Sequence, residues 1–280
     1  MKPIHREIQL TNDGHLWVYF LGCGSAFSKQ QYQTNILLVK GDEHLLVDCG
    51  TTCSRALKDA GLSILDIENV LITHSHADHV GGMEEFLLMN RYVARKKPRI
   101  FVTEEYGEIL WERSLRGGAE MNEMHGGRGL RFGDYADFVR PTPLPDYPRD
   151  AQEFRLGDLA IRTFRTRHYP EQATSWREAM YSVGLVIDDR VLISGDTQYD
   201  ADFLTEVDPH GHVRHYFQDV QFFTGGIHAS LEEISAYPGR IKKKTLLVHY
   251  SDNFADYRKA VRSAGFAGFA SAGQIYEFTG

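Results

Sequence analysis

Short apolar runs alternate with polar, glycine-bearing turns along most of the chain, and the period of each run predicts its element. Leu16–Leu21 reads as the first strand. Asn35–Lys40 and His44–Asp48 flank Gly41-Asp42-Glu43, which is a hairpin signal. Thr51–Leu62 predicts a helix stopped by Gly61. A strand at Val70–Thr73, a helix at Met83–Ala94, a strand at Arg99–Thr103 and a helix at Tyr106–Leu115 follow. The pattern then weakens. Arg116–Arg131 is glycine-rich and carries Met121, Met124 and His125, and Pro141–Pro148 is proline-rich. The stretch from about 105 to 150 therefore reads as a lid or insertion within one domain spanning 1–280.

Strands resume at Leu159–Arg165, Tyr181–Ile187 and Val191–Ser194, the last two joined through Asp188-Asp189. A helix is predicted at Ala201–Val207, a strand at His215–Phe223 and a helix at Leu231–Tyr237. Then come a strand at Thr245–His249, a helix at Ala255–Ala264 closed by Gly265, and a last strand at Gln274–Phe278. Two halves of strands with interspersed helices predict an α/β fold, two sheets packed as a four-layer αββα sandwich.

Composition adds limits. The formal charge of -7 over 280 residues advertises no broad basic surface for long nucleic acid. No apolar run approaches the roughly 20 residues of a membrane span. The first residues, Met1–Glu7, hold no apolar leader-like run, and Cys23, Cys49 and Cys53 form no C-x-x-C pair. The expectation is a cytoplasmic protein with reduced thiols. Cys49 and Cys53 stand as minor candidates for metal ligands, against the reading of small buried side chains.

The densest chemistry lies in Leu71–Gly82, which places His74, His76, Asp78 and His79 in an H-x-H-x-D-H spacing after the apolar Val70-Leu71-Ile72. Imidazoles and carboxylates are costly to desolvate without a partner, and a divalent cation supplies one. The i, i+2 spacing fits a loop at a strand's C-terminal end rather than one helix face. Later strand ends offer His168, Asp196 after Ser194-Gly195, and His249 closing Thr245-Leu-Leu-Val. Each alone is more often a hydrogen-bonded structural or turn residue; their shared placement argues for ligands. His210, His212 and His215 fall in a turn with Pro209 and Gly211 and read as solvated.

Together these residues resemble the metallo-β-lactamase fold superfamily, over nearly the whole chain. The resemblance implies one metal held by His74, His76 and His168, a second held by Asp78, His79 and His249, and Asp196 bridging both. It implies two divalent ions, zinc first, with manganese or iron as alternatives, and a hydroxide between them that attacks the substrate, oriented by Asp78.

Further motifs resemble the ribonuclease Z-like phosphodiesterase branch. Phe20-Leu-Gly-Cys-Gly-Ser-Ala-Phe27 is similar to its glycine-rich opening, with Ser25 as a substrate-binding residue beside backbone N–H groups. Gln218-Asp219 followed by Gly225-Gly-Ile-His-Ala-Ser-Leu231 implies His228 as general acid and Asp219 as the carboxylate that orients it, where ribonuclease Z usually has Glu. His249-Tyr-Ser-Asp252 follows the same branch. A counterpart of the long basic arm that grips tRNA is missing. Gly24–Phe27 with Gln33-Thr-Asn35, and Gly226–Glu232 before Lys242–Tyr250, are most similar to the anti-Pycsar cyclic-nucleotide phosphodiesterases. That resemblance implies a 3′,5′-cyclic nucleotide as substrate and a homodimer, with Arg116–Arg131 as a lid over the partner's site. The alternatives are a ribonuclease Z-like tRNA 3′-processing enzyme and a di-iron redox or oxygen-sensing protein.

Overall fold

The computed structural model describes residues 7–279. Met1–Arg6, read above for a leader, lie outside the described residues. Among the described residues no helix is long and apolar enough to cross a membrane. The chain divides into two compact units, each built around its own sheet.

The first unit takes in 7–22, 32–141 and 272–279. Its seven strands run in the spatial order Ile275–Phe278, Leu16–Gly22, Asn35–Lys40, Glu43–Val47, Asn69–Leu71, Arg99–Phe101 and Asp137–Val139. The first four pair antiparallel, and the last four run parallel from Glu43–Val47 onward. Parallel strands are covered on both faces, so they read as continuous apolar runs rather than alternation. Leu45, Leu46, Val47, Val70 and Leu71 are accordingly all buried.

The first helix here is shorter than the sequence predicts. The helix expected at Thr51–Leu62 spans Cys53–Asp59. Thr51 and Thr52 are spent instead on Gln33, whose backbone N–H donates to Thr52 Oγ1 at 3.0 Å and whose Oε1 accepts from Thr51 Oγ1 at 2.8 Å. Met83–Met89 gives way to a wider turn at Asn90–Ala94, where the buried Asn90 amide donates to Phe86 O and Arg95 closes the element at φ 56°. Within 116–131 the chain forms a helical turn at Arg116–Ala119 and a small hairpin, Met124–His125 with Arg128–Gly129. Asp137–Val139, inside the stretch read as an insertion, pairs with Arg99–Phe101 in the sheet.

The second unit comprises 23–31 and 142–271. Its eight strands run Gly268–Phe269, Thr245–Val248, His215–Asp219, Val191–Ile193, Val183–Ile187, Leu159–Arg165, Ala151–Leu156 and Thr142–Pro143. The first four are parallel and the rest antiparallel. Ala151–Leu156 is absent from the sequence reading because Gln152, Glu153 and Arg155 hide its apolar positions. It pairs in a hairpin with Leu159–Arg165, from Ala151↔Phe164 to Leu156↔Leu159. The strand expected at His215–Phe223 stops at Asp219, since the Gln221 backbone pairs with Ala229 O and Leu231 N instead. Ser230 caps the helix Leu231–Ile234 through a reciprocal pair with Glu233. One core cluster gathers Phe164, Val186, Leu192, Phe203, Val207 and Val213. Beside it Arg149 is fully buried, its guanidinium shared between Asp200 and Glu206 and stacked over Phe203.

Candidate metal centre

In both units most of the functional side chains follow the carboxyl ends of parallel strands, where open α/β sheets place their ligands, while His168 follows the antiparallel strand Leu159–Arg165. In the first unit Asn69–Leu71 runs into Thr73 and His74, and the short helix Ala77–Val80 carries Asp78 and His79. Asp48, at the end of the neighbouring strand, holds this turn. Its Oδ1 accepts from the Thr73 backbone N–H at 2.7 Å and its Oδ2 from Thr73 Oγ1 at 2.9 Å. The same Oδ2 lies 2.6 Å from His79 Nδ1. Burial pushes the Asp48 carboxyl upward, and the His79 and Thr73 interactions pull it back. Asp48 adopts φ 68°, a left-handed backbone that Asp tolerates better than most non-glycine residues. Gly50 must be glycine, because a Cβ there would sit 1.9 Å from Asp78 O.

With His79 Nδ1–H donating to Asp48, His79 turns Nε2 toward Asp78 Oδ2 at 3.2 Å. That is the carboxylate–histidine pairing that orients a metal-ligating imidazole and fixes its tautomer. His74 Nε2 and His76 Nδ1 lie 3.0 Å apart. His74, Asp78 and His79 are buried and His76 is half-buried. The motif thus gathers as the spacing predicts.

In the second unit three imidazoles converge on one carboxylate oxygen. His168 lies just past Leu159–Arg165, Asp196 past Val191–Ile193 and His249 past Thr245–Val248. Asp196 Oδ2 stands 3.4 Å from His249 Nε2, 3.7 Å from His168 Nε2 and 4.0 Å from His228 Nδ1. His168, Asp196 and His228 each bring one possible ligand atom to within 4.8 Å of the others. His168 donates its other ring nitrogen to Ile227 O at 2.9 Å, which again leaves Nε2 as the presented donor atom. His249 is held at φ 56°. Gly195 has φ 62°, and a Cβ there would lie 2.4 Å from Val183 O. This tight turn delivers Asp196.

Asp219 closes the strand His215–Asp219 and is buried. Its Oδ2 lies 2.9 Å from His228 Nδ1 and accepts from the Thr197 N–H at 3.2 Å, while Gln218 Nε2 donates to Oδ1 at 2.9 Å. Burial pushes the Asp219 carboxyl up to about 6, against the downward pull of His228. Ser25 gives its backbone N–H to Tyr250 O at 3.0 Å, which seats its turn beside the residue after His249. The three cysteines are buried, and none joins a candidate ligand group among the described residues.

The donor set fits divalent metal chemistry. Buried imidazole Nε2 atoms with fixed tautomers face carboxylate oxygens, a mixture that suits zinc, iron or manganese. The sequence reading missed Asp48. Its signal was available: it closes the apolar run Leu45-Leu-Val47, the placement that marked His249.

A family model described as "Anti-Pycsar protein Apyc1" matches residues 16–276. The chain is 34% identical over 265 residues to the anti-Pycsar protein Apyc1 of Bacillus phage BSP38, covering 92% of this chain and 97% of that protein. It is 33% identical over 253 residues to the protein of that name from Paenibacillus sp. (strain J14), covering 90% and 96%. Among solved structures, the metallo-β-lactamase fold protein YhfI from Bacillus subtilis superposes with a TM-score of 0.68 at 18% identity, over 94% of this chain and 100% of that one. The expected α/β architecture, the four-layer αββα sandwich, is therefore borne out as the metallo-β-lactamase fold.

Proposed function

The chain belongs to the anti-Pycsar protein Apyc1 family, and on that premise we propose that it is a dinuclear metal-dependent phosphodiesterase that opens 3′,5′-cyclic nucleotides. Anti-Pycsar proteins degrade cyclic nucleotides. The observation that carries the reading is the convergence of buried His168, His249 and half-buried His228 on Asp196 Oδ2.

In this reading, following the superfamily resemblance, His74, His76 and His168 would hold one ion and Asp78, His79 and His249 the other, and Asp196 would serve both. Two divalent cations, zinc before manganese or iron, would supply Lewis acidity and an activated water when bound. The protein's own groups do the rest. Asp48 and Ile227 O hold the His79 and His168 rings so that Nε2 is presented. Asp219 fixes His228 through Nδ1, so His228 Nε2 is the atom that hands a proton to the departing ribose oxygen. Ser25 supports the substrate through its hydroxyl. A substrate with one negative charge suits a chain of net charge -7 better than a long polyanion, whose binding rests on several Lys/Arg–phosphate pairs. A homodimer with Arg116–Arg131 as lid, acting in the cytoplasm, completes the proposal.

The test is turnover by metal-loaded protein of a cyclic mononucleotide panel beside precursor tRNA and a lactone. Ring opening with mild salt dependence is the expected result. Cleavage of precursor tRNA with cyclic nucleotides untouched overturns it in favour of the ribonuclease Z reading. Inactivity on every phosphodiester with tightly bound iron points to the redox class.

A further inference from the structure

We infer that Gln198 is a positioning residue that ties the turn bearing His168 to the turn bearing Asp196. The inference rests on the reading of those two residues as metal ligands.

The sheet orders the two strands that lead to these residues but does not bond their turns to each other. His168 follows the strand Leu159–Arg165, Asp196 follows Val191–Ile193, and Val183–Ile187 lies between those strands. No ladder hydrogen bond runs from one ligand-bearing strand to the other. Gln198, buried two residues past Asp196, spans the gap. Its backbone N–H donates to Arg167 O at 2.6 Å. Its side-chain Nε2 donates to His168 O at 2.6 Å and to Pro170 O at 3.1 Å. Its Oε1 accepts from Arg167 Nη2 at 3.1 Å. Thus one residue on the Asp196 turn satisfies three polar groups on the His168 turn with its side chain and a fourth with its backbone.

The chemistry selects glutamine. Two carbonyls need donors and one guanidinium needs an acceptor, and a primary amide offers both at one end of a side chain. Glu has the same length but presents only acceptors when ionised, and Met has the same length with neither strong donor nor strong acceptor. The Nε2–Oδ2 separation of 3.7 Å between His168 and Asp196 is the quantity this clamp holds. Residues that orient metal ligands typically change metal affinity by roughly 10–100-fold when replaced.

The experiment titrates metal-free protein with Co²⁺ alone, reading affinity by chelator competition and coordination by the visible d–d bands, below the unfolding transition of every variant. Gln198→Met and Gln198→Glu are expected to bind Co²⁺ roughly 10–100-fold more weakly, with altered bands. Arg167→Met, at a half-buried position, frees only one end of the amide and is expected to weaken binding by a smaller factor. It keeps the test intact if the buried variants do not fold. Wild-type affinity and wild-type bands in the variants that fold, even with a lowered Tm, overturn the inference and leave Gln198 a packing residue. Failure of the unaltered protein to bind Co²⁺ overturns the metal reading beneath it instead.

Discussion

The His74–His79 stretch and the residues around Asp196 present the same donor chemistry but are assembled by opposite routes. In the first unit four candidate ligands come from six consecutive residues, and one carboxylate, Asp48, fastens the turn through Thr73 and His79. In the second unit His168, Asp196, His228 and His249 come from an 82-residue span, and their meeting depends on the order of four strand ends. A contiguous motif carries most of its geometry in its own backbone. A dispersed one is held by sheet order and by side chains that cross between turns, such as Gln198 to His168 O and Asp219 to His228. Damage to one supporting residue should therefore be local in the first unit and spread further in the second.

The largest effect is expected at the point of convergence. Asp196 Oδ2 is faced by three imidazoles, so Asp196→Ala removes the one carboxylate oxygen on which all three converge. Metal content and turnover should fall together to the level of the metal-free protein. Metal analysis on chelator-free preparations, expected to give close to two ions in the unaltered chain, checks it. Two retained ions with near-normal turnover in the variant would place the shared carboxylate elsewhere.

Next in size is His228→Ala, which probes the part of the second unit assigned to proton transfer rather than to metal. Its metals should remain, and turnover of a cyclic nucleotide should fall roughly 10²–10⁴-fold. A p-nitrophenyl phosphodiester, whose leaving group needs little protonation, should suffer much less. Equal losses on both substrates remove His228 from the acid role. Loss of metal instead makes it a ligand, in keeping with its place beside His168 and Asp196.

The two routes also explain what could be read from the sequence. His74, His76, Asp78 and His79 were legible because their spacing is itself the geometry. His168, Asp196 and His249 were legible as strand ends, each following an apolar run, and the superfamily resemblance joined them. Asp48 carried the same strand-end signal but was passed over, because an Asp after Leu-Leu-Val also reads as a turn residue until the fold brings it within 2.6 Å of His79 Nδ1. Gln198 carried no signal: an amide has no spacing signature, and its partners lie about thirty residues away. Strands with polar outward faces, such as Ala151–Leu156, were lost to weak alternation. Helices were placed but read too long, because caps such as Thr52 were engaged by distant residues like Gln33.

The smallest predicted effect sharpens the contrast from the side of the first unit. Asp48 has φ 68°, and Asn is among the few side chains that accept left-handed backbone, so Asp48→Asn leaves the turn's conformation available. An Asn oxygen can still accept from the Thr73 N–H or from His79, so the substitution chiefly removes the charge opposite His79. If the contiguous motif is self-supporting, Co²⁺ affinity should fall by roughly tenfold, the low end for a residue behind a ligand, with the d–d bands little changed. The same titration on Gln198→Met should show the larger loss and the larger spectral change. A reversed order, with Asp48→Asn the more damaging, would mean that the local motif leans on its single carboxylate more than the dispersed one leans on its clamp.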